Sequence, residues 1–331
     1  MQLHTIGTQE AGQRLDKFLH KYMPEATTSF FYKMLRKKNI TLNGKKAEGK
    51  EMLKEGDTVS FFFSDETFTK FRGAATMDMN TSEYEKAFRV IKGIKVVYED
   101  EDALIANKPA GVLSQKAKPT DVSLNEWLIG YLLQNKKISA KELATFKPSI
   151  CNRLDRNTSG LVLCGKSLKG SQHLTKLIRE RDVKKFYRTI VSGEMKKGAL
   201  VEGYLLKDEK TNKVTVYPSG AGNVPKDAEP IKTAYKPLET IDNYTVVEVE
   251  LITGKTHQIR AHLASIGHPI IGDAKYGNFN INKEVDRKIG LKWQLLHAYR
   301  LEFPKLEEGL TKLSEKIIVA DLPKSFKDMN A

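Results

Sequence analysis

The chain has 331 residues, 40% of them apolar and 29% charged, with a formal net charge of +14 and a pI near 9.4. That profile suits a soluble globular protein long enough for one large domain or two, and the positive excess points to a polyanionic partner, most often nucleic acid. No apolar run is long enough to span a membrane, the N-terminus reads without a secretory pattern, and the two cysteines, Cys151 and Cys164, offer neither a disulfide framework nor metal-ligand spacing, so a reducing cytoplasm is the expected compartment.

Residues 13–63 read as a small unit. Leu15, Phe18, Leu19 and Tyr22 fall on one helix face, which Pro24 ends. A second helix is expected from Ser29, a capping residue, with Phe30, Phe31, Met34 and Leu35 turned inward. Ile40-Thr41-Leu42 then forms a strand running into the Asn43-Gly44 hairpin turn, and Thr58 to Phe63 forms another. Between residues 33 and 50 stand seven basic residues (Lys33, Arg36, Lys37, Lys38, Lys45, Lys46 and Lys50) against one acidic residue, Glu48. Such a ridge suits an RNA backbone.

Arg14-Leu15-Asp16, the basic helix and Ile40-Thr41-Leu42-Asn43-Gly44-Lys45 together resemble the alpha-L RNA-binding domain of ribosomal small-subunit protein four and tyrosyl-tRNA synthetases. The resemblance implies RNA contacts from Arg14, Lys17, Lys33, Arg36, Lys37, Lys38, Asn43, Lys45 and Lys46. Two positions depart from the pattern. Asn39 replaces the usual glycine before the strand and is expected to take its left-handed conformation, and Ser29-Phe30 replaces Ser-Arg.

Residues 64–93 read as a linker, with an amphipathic piece from Tyr84 to Val90 able to pack on either side. Strands are expected at 96–98 and 103–106, and a helix over 123–133. A carboxylate, Asp155, follows in the stretch SICNRLDRNTSGLVLCGKS (149–167), between Arg153 and Arg156 and ahead of a Thr-Ser-Gly turn that feeds an apolar strand. Taken alone, an acid between two arginines is most often a salt-bridged loop residue. A helix is expected over 171–181, a strand over 184–193, an irregular surface excursion over 203–233 and a strand over 244–251. Gly254-Lys255-Thr256 lacks the upstream glycine of a phosphate loop, and His257, His262 and His268 lack carboxylate or cysteine companions for a metal. Ile259, Leu263 and Ile266 share a helix face that Gly267 and Pro269 end. Arg260 stands at its margin.

Three segments carry a second resemblance. Asn152-Arg153-Leu154-Asp155 with Thr158-Ser159-Gly160 is similar to the H-R-L-D-x-x-T-S-G signature of the RluA-type pseudouridine synthases, departing at Asn152. Lys185, Tyr187, Val191 and Gly193 match a K-x-Y-x-A-x-V-x-G motif, with Thr189 for alanine. Thr253 to Gly277 matches G-R-T-H-Q-I-R and the G-D-x-x-Y-G that follows, with Lys255 for arginine. The Lys108-Pro109-Ala110-Gly111 segment and Leu296-His297-Ala298 complete the set.

The resemblance implies an α+β fold. Its catalytic domain (94–331) would be a mixed, mainly antiparallel sheet with a central cleft, joined by a linker (76–93) to a small α+β RNA-binding domain (1–75). It implies isomerisation of uridine to pseudouridine without cofactor or metal, in large-subunit ribosomal RNA or, alternatively, transfer RNA. Asp155 would start the reaction, Arg260 would pair with it, and Tyr187 would stack on the base and could take the C5 proton. Arg153, Lys108, Ile259, Lys255, His257 and Gln258 would bind the substrate. A cytoplasmic monomer is expected. The competing reading is a non-catalytic RNA-binding assembly factor, against which the joint presence of Asp155, Tyr187 and Arg260 argues.

Overall fold

The computed structural model describes residues 1–73 and 80–329. At the N-terminus, β1 (Gln2–Thr5), α1 (Leu15–Tyr22), α2 (Thr28–Arg36), β2 (Ile40–Leu42), β3 (Lys45–Lys46), β4 (Thr58–Phe61) and α3 (Asp65–Arg72) enclose one core. The four strands form an antiparallel sheet in the order β1-β4-β2-β3. The α1 face buries as its spacing predicts: Leu15, Phe18 and Leu19 are fully covered, with Phe31 and Leu35 of α2 against them. Asn43 and Gly44 both take positive φ, at 52° and 72°, which a two-residue hairpin of this twist requires.

Three expectations for this unit need correction. The cap of α2 is Thr27, whose hydroxyl accepts the Phe30 N–H at 3.3 Å, and Ser29 lies inside the first turn. The left-handed residue after α2 is Lys38 (φ 59°), not Asn39. The Lys38 N–H donates to the Leu35 carbonyl at 3.1 Å and the Asn39 N–H to the Met34 carbonyl at 2.9 Å. This is the paired bonding that closes a helix end and places the left-handed residue one position earlier. Residues 65–72 form a helix, capped by Ser64, that drives Phe68 into the core beside Phe61 and Tyr22.

The expected linker shortens from its other end too. Helix α4 (Ser82–Val90) packs against α5 (Leu124–Gln134), and a Cβ at Gly130 would collide with the Tyr84 carbonyl, so only glycine allows this crossing. Tyr84 and Ile91 join the core of the second unit. Residues 74–79, the remainder of the linker reading, lie outside the described residues.

The second unit is built on one eleven-stranded sheet. In chain order its strands are β5 (Lys95–Glu99), β6 (Ala103–Lys108), β7 (Ser149–Ile150), β8 (Ser159–Gly165), β9 (Lys184–Ser192), β10 (Ala199–Asp208), β11 (Lys213–Pro218), β12 (Glu229–Ile241), β13 (Tyr244–Leu251), β14 (Leu296–Glu302) and β15 (Ile317–Val319). They pair in the order β11-β10-β12-β13-β9-β14-β8-β6-β5, with β7 beside β8 and β15 beside β14. Every pairing is antiparallel except β14 with β8. Central strands bury both faces. Leu104, Val162 and Cys164 pack with α5 and with α7 (Gln258–Ser265), while Ile105, Leu161 and Leu163 pack with α6 (Leu168–Glu180).

Residues 203–233 are therefore largely strand rather than an irregular excursion. They form the outer end of the sheet, where exposed polar residues alternate with the few buried ones, such as Leu205, Val214 and Ile231. Pro237, unfit for a regular ladder, sits at the register shift between β12 and β13. Helices α8 (Phe279–Ile289) and α9 (Lys324–Asp328), unread in the sequence, pack around Ile190, Ile271 and Leu295.

Because a lysine holds the left-handed position after α2, Lys38→Gly is expected to raise the unfolding free energy of the N-terminal unit by about 0.5–1 kcal/mol. Denaturant titration checks this, and a loss of stability would contradict the assignment.

Candidate active site

Asp155 stands on the loop between β7 and β8, and the loop is bolted from below. The Ser114 hydroxyl donates to the Leu154 carbonyl at 2.8 Å and accepts the Leu154 N–H at 3.0 Å. The Arg156 carbonyl accepts the Gly111 N–H at 2.8 Å. Asn152, where the related signature carries histidine, accepts the Leu163 N–H through Oδ1 at 2.7 Å and so ties the loop entry to β8. At the exit, Gln294 donates to Thr158 Oγ1 at 2.9 Å, and Ser159 bonds to His297 Nδ1 at 2.8 Å. A Cβ at Gly160 would collide with the Ala298 backbone, so glycine there lets β8 and β14 run side by side. Each of these contacts removes a freedom from the peptide that carries the carboxylate.

Arg260 reaches Asp155 from the first turns of α7. Its Nη1 donates to Asp155 Oδ2 at 2.8 Å. On its other side Asp273, 1% exposed, receives Nε and Nη2 at 2.7 and 2.9 Å in a bidentate fork. Asp273 also accepts the backbone N–H groups of Lys275 and Tyr276 at 2.8 and 3.1 Å. Burial disfavours the Arg260 charge, but Asp273 and Asp155 together hold its pKa above the usual value. For Asp273 burial works upward, and Arg260 with the two N–H donors brings the carboxyl below its ordinary range.

Asp155, Arg260, Tyr187, Ile259, His257, Arg153 and Lys255 all line one pocket of about 90 Å³. It opens into a cleft of about 710 Å³ whose walls carry Lys116, Arg153, Arg156, Lys207, Lys255 and Lys275. Tyr187, on β9, is 5% exposed, and burial with the nearby Asp155 charge pushes its phenol well above the usual range. His257, in the left-handed conformation (φ 54°) ahead of α7, has its pKa lowered by burial.

Two residues expected to contact substrate have other uses. Lys108 is fully buried, and its ammonium donates to the carbonyls of Pro109, Val112 and Arg156 at 3.1, 2.8 and 3.2 Å. It supports the Asp155 loop from beneath, and burial brings its pKa down to about 7. Gln258 borders the pocket but turns its amide away. Nε2 donates to the Lys232 carbonyl and Thr233 Oγ1, while Oε1 accepts from Thr253 Oγ1 and the Lys255 N–H. It fixes the 253–258 loop to β12. The Lys255 ammonium is paired with Glu229.

In the N-terminal unit Lys17, Lys33, Arg36, Lys37, Lys38, Lys45 and Lys46 are exposed. Arg14 is also exposed but pairs with Asp16 at 2.6 Å. Asn43, expected to meet RNA, instead spends its amide on the fold: Nδ2 donates to Asp57 and Oδ1 accepts the Thr58 N–H. Sequence reasoning missed the parts played by Ser114, Asp273, Tyr276 and Gln294. Asp273 and Tyr276 were visible in the G-D-x-x-Y-G match, though nothing in the spacing says what they hold.

The folded-state pKa of Asp273 lies below its unfolded value. Its contribution is therefore present above about pH 4 and lost as pH falls through the folded value. Asp273→Asn, which leaves a buried guanidinium half-paired, is expected to cost about 3–5 kcal/mol at pH 7. The gap to wild type should narrow toward pH 3, as read by denaturant unfolding. A small gap at neutral pH would contradict the clamp.

Residues 102–265 match the RNA pseudouridylate synthase family, and residues 13–59 match the S4 domain. The chain is 30% identical over 308 residues to ribosomal large subunit pseudouridine synthase C of Vibrio parahaemolyticus, covering 92% of this chain and 88% of the relative. It is 29% identical over 326 residues to ribosomal large subunit pseudouridine synthase D of Neisseria meningitidis serogroup B, covering 96% and 79%. Among solved structures, human RNA pseudouridylate synthase domain containing 4 superposes with a TM-score of 0.57 at 25% identity, over 75% of this chain and 95% of that one. A mainly antiparallel sheet with an acid-bearing loop at its centre, these matches and an N-terminal S4 domain make the chain a member of the RNA pseudouridylate synthase family, an RNA-modifying isomerase.

Proposed function

We propose that this synthase converts specific uridines to pseudouridine in large-subunit ribosomal RNA, acting as a cytoplasmic monomer. The observation that carries the reading is the Asp155 carboxylate, presented by a bolted loop into a small pocket beside a buried aromatic ring and a clamped guanidinium. The substrate class comes from the names of the Vibrio and Neisseria relatives. The S4 domain and the cationic cleft walls support an RNA of some length.

Asp155 opens the reaction, either by attacking the ribose C1′ or by removing the C2′ proton. Either route breaks the bond between N1 and C1′. The uracil turns and C5 bonds to C1′, displacing the Asp155 carboxylate on the first route or with the proton returned to C2′ on the second. The C5 proton then leaves and N1 takes one up. Atoms and electrons balance within the substrate, so the reaction asks for no redox partner. Arg260 holds the carboxylate oriented, and Ile259 and Arg153 shape the pocket that takes a uridine splayed out of the RNA.

The environment of Tyr187 favours one of its two expected roles. A phenol whose ionisation is pushed far up by burial and by Asp155 is a sound stacking surface but a poor acceptor of the C5 proton. Asp155, released once the base is rejoined, is the better base for that step. The exposed cations of the N-terminal unit, Arg14, Lys17, Lys33, Arg36, Lys37, Lys38, Lys45 and Lys46, would grip phosphates away from the target.

The test is pseudouridine mapping by carbodiimide labelling and primer extension on unmodified large-subunit rRNA, with unmodified tRNA in parallel. Wild type is expected to give new stops on the rRNA alone. Asp155→Ala should give none while its RNA affinity stays within about threefold. Stops on tRNA alone would overturn the substrate reading, and turnover by Asp155→Ala would overturn the role of the carboxylate.

A further inference from the structure

Asp155 Oδ2 faces two nitrogen atoms, Arg260 Nη1 at 2.8 Å and His257 Nε2 at 3.8 Å. The proton on that imidazole is set from behind. The Val214 N–H, on β11, donates to Tyr276 Oη at 2.9 Å, and the same oxygen lies 2.9 Å from His257 Nδ1. A backbone amide can only donate. The phenol's own proton then has His257 Nδ1 as its acceptor among the described residues. The phenol oxygen can accept a second time, so the contact alone fits either tautomer; where Tyr276 donates, Nδ1 carries no proton. Burial, against the pull of Asp155, favours the neutral ring, and with Tyr276 donating its single proton sits on Nε2, the nitrogen turned to the carboxylate.

His257 takes the left-handed conformation (φ 54°) and makes no side-chain cap bond to α7. Tyr276 is anchored in turn, its backbone N–H donating to Asp273 Oδ1 at 3.1 Å. Asp273 thus feeds two arms that converge on the same oxygen, one through Arg260 and one through Tyr276 and His257.

We propose that His257 is a positioning residue for the isomerisation. In the Nε2–H tautomer selected by Tyr276, it supplies Asp155 Oδ2 with a second donor once RNA fills the pocket and the 3.8 Å gap closes. Among the described residues none donates to Oδ1, which is left as the oxygen that meets the ribose. This rests on the reading of Asp155 as the reacting carboxylate. It also ties the site to the β10–β11 hairpin, whose Val214 starts the relay.

The experiment uses the full chain labelled with 15N-histidine, the His257 signals being identified by their loss in His257→Asn. At neutral pH Nδ1 is expected to be the unprotonated nitrogen and Nε2 the protonated one. In Tyr276→Phe, Nδ1 should shift downfield as its donor is lost, and an Nδ1–H population should appear. Single-turnover rates on a large-subunit rRNA fragment at saturating enzyme should fall by roughly 10–100-fold in His257→Asn and Tyr276→Phe, with RNA affinity within about threefold. His257→Gly separates position from packing: its folding stability should match or exceed wild type, while its rate falls as in His257→Asn. A proton on Nδ1 in wild type, or a His257→Gly rate within about threefold of wild type, would overturn the proposal. Absence of turnover by wild type itself would sink the reading of Asp155 instead, and the 15N signals would still decide the tautomer.

Discussion

Arg260 stands between two carboxylates that need it for different reasons. Asp273 is fully buried and holds the guanidinium in a fork, and Asp155 meets the remaining edge at the pocket. A guanidinium is planar and always charged, so fixing it from one side fixes the direction of what it offers on the other. The sheet exists around this arrangement. β8 and β14 run parallel at its centre because Gly160 lets them approach, which sets the Asp155 loop opposite the start of α7. Lys108, Ser114 and Gln294 bond to the loop and Asn152 ties its entry to β8, so that the carboxylate is presented rather than left to wander.

The loop and its strand were legible because their signals are local. A Thr-Ser-Gly turn before a branched apolar run says strand, and β8 buries every residue of that run. The α1 face and the Asn43-Gly44 hairpin were legible for the same reason. What the sequence hid was mostly edge and closure. Strands β10 to β12 carry exposed residues along much of their length, so their pattern is polar and punctuated by prolines, and it reads as loop. The helix α3 escaped because only two apolar residues, Phe68 and Phe71, dock it in a run that is otherwise polar.

At the site, residue identities were legible and their duties less so. Asp155, Tyr187 and Arg260 come together in one pocket as the motif resemblance implied. Lys108 and Gln258, assigned to substrate, face inward and hold backbone instead. A motif preserves residues for either reason, and only burial with hydrogen-bond partners separates them. Lys38 in place of Asn39 is a similar case: propensity favours asparagine in the left-handed position, but the closing bonds of α2 choose the position first.

The account turns on the geometry of Arg260, and replacing it by lysine tests that most directly. Lysine keeps the charge and can still neutralise one carboxylate, but it cannot fork onto Asp273 while presenting a fixed edge to Asp155. The measurement is the single-turnover rate of pseudouridine formation by Arg260→Lys at saturating enzyme, alongside RNA affinity. The account predicts a rate lower by about 100-fold or more with affinity nearly unchanged. A rate close to wild type would show that positive charge alone suffices and that the clamp is not what positions the carboxylate.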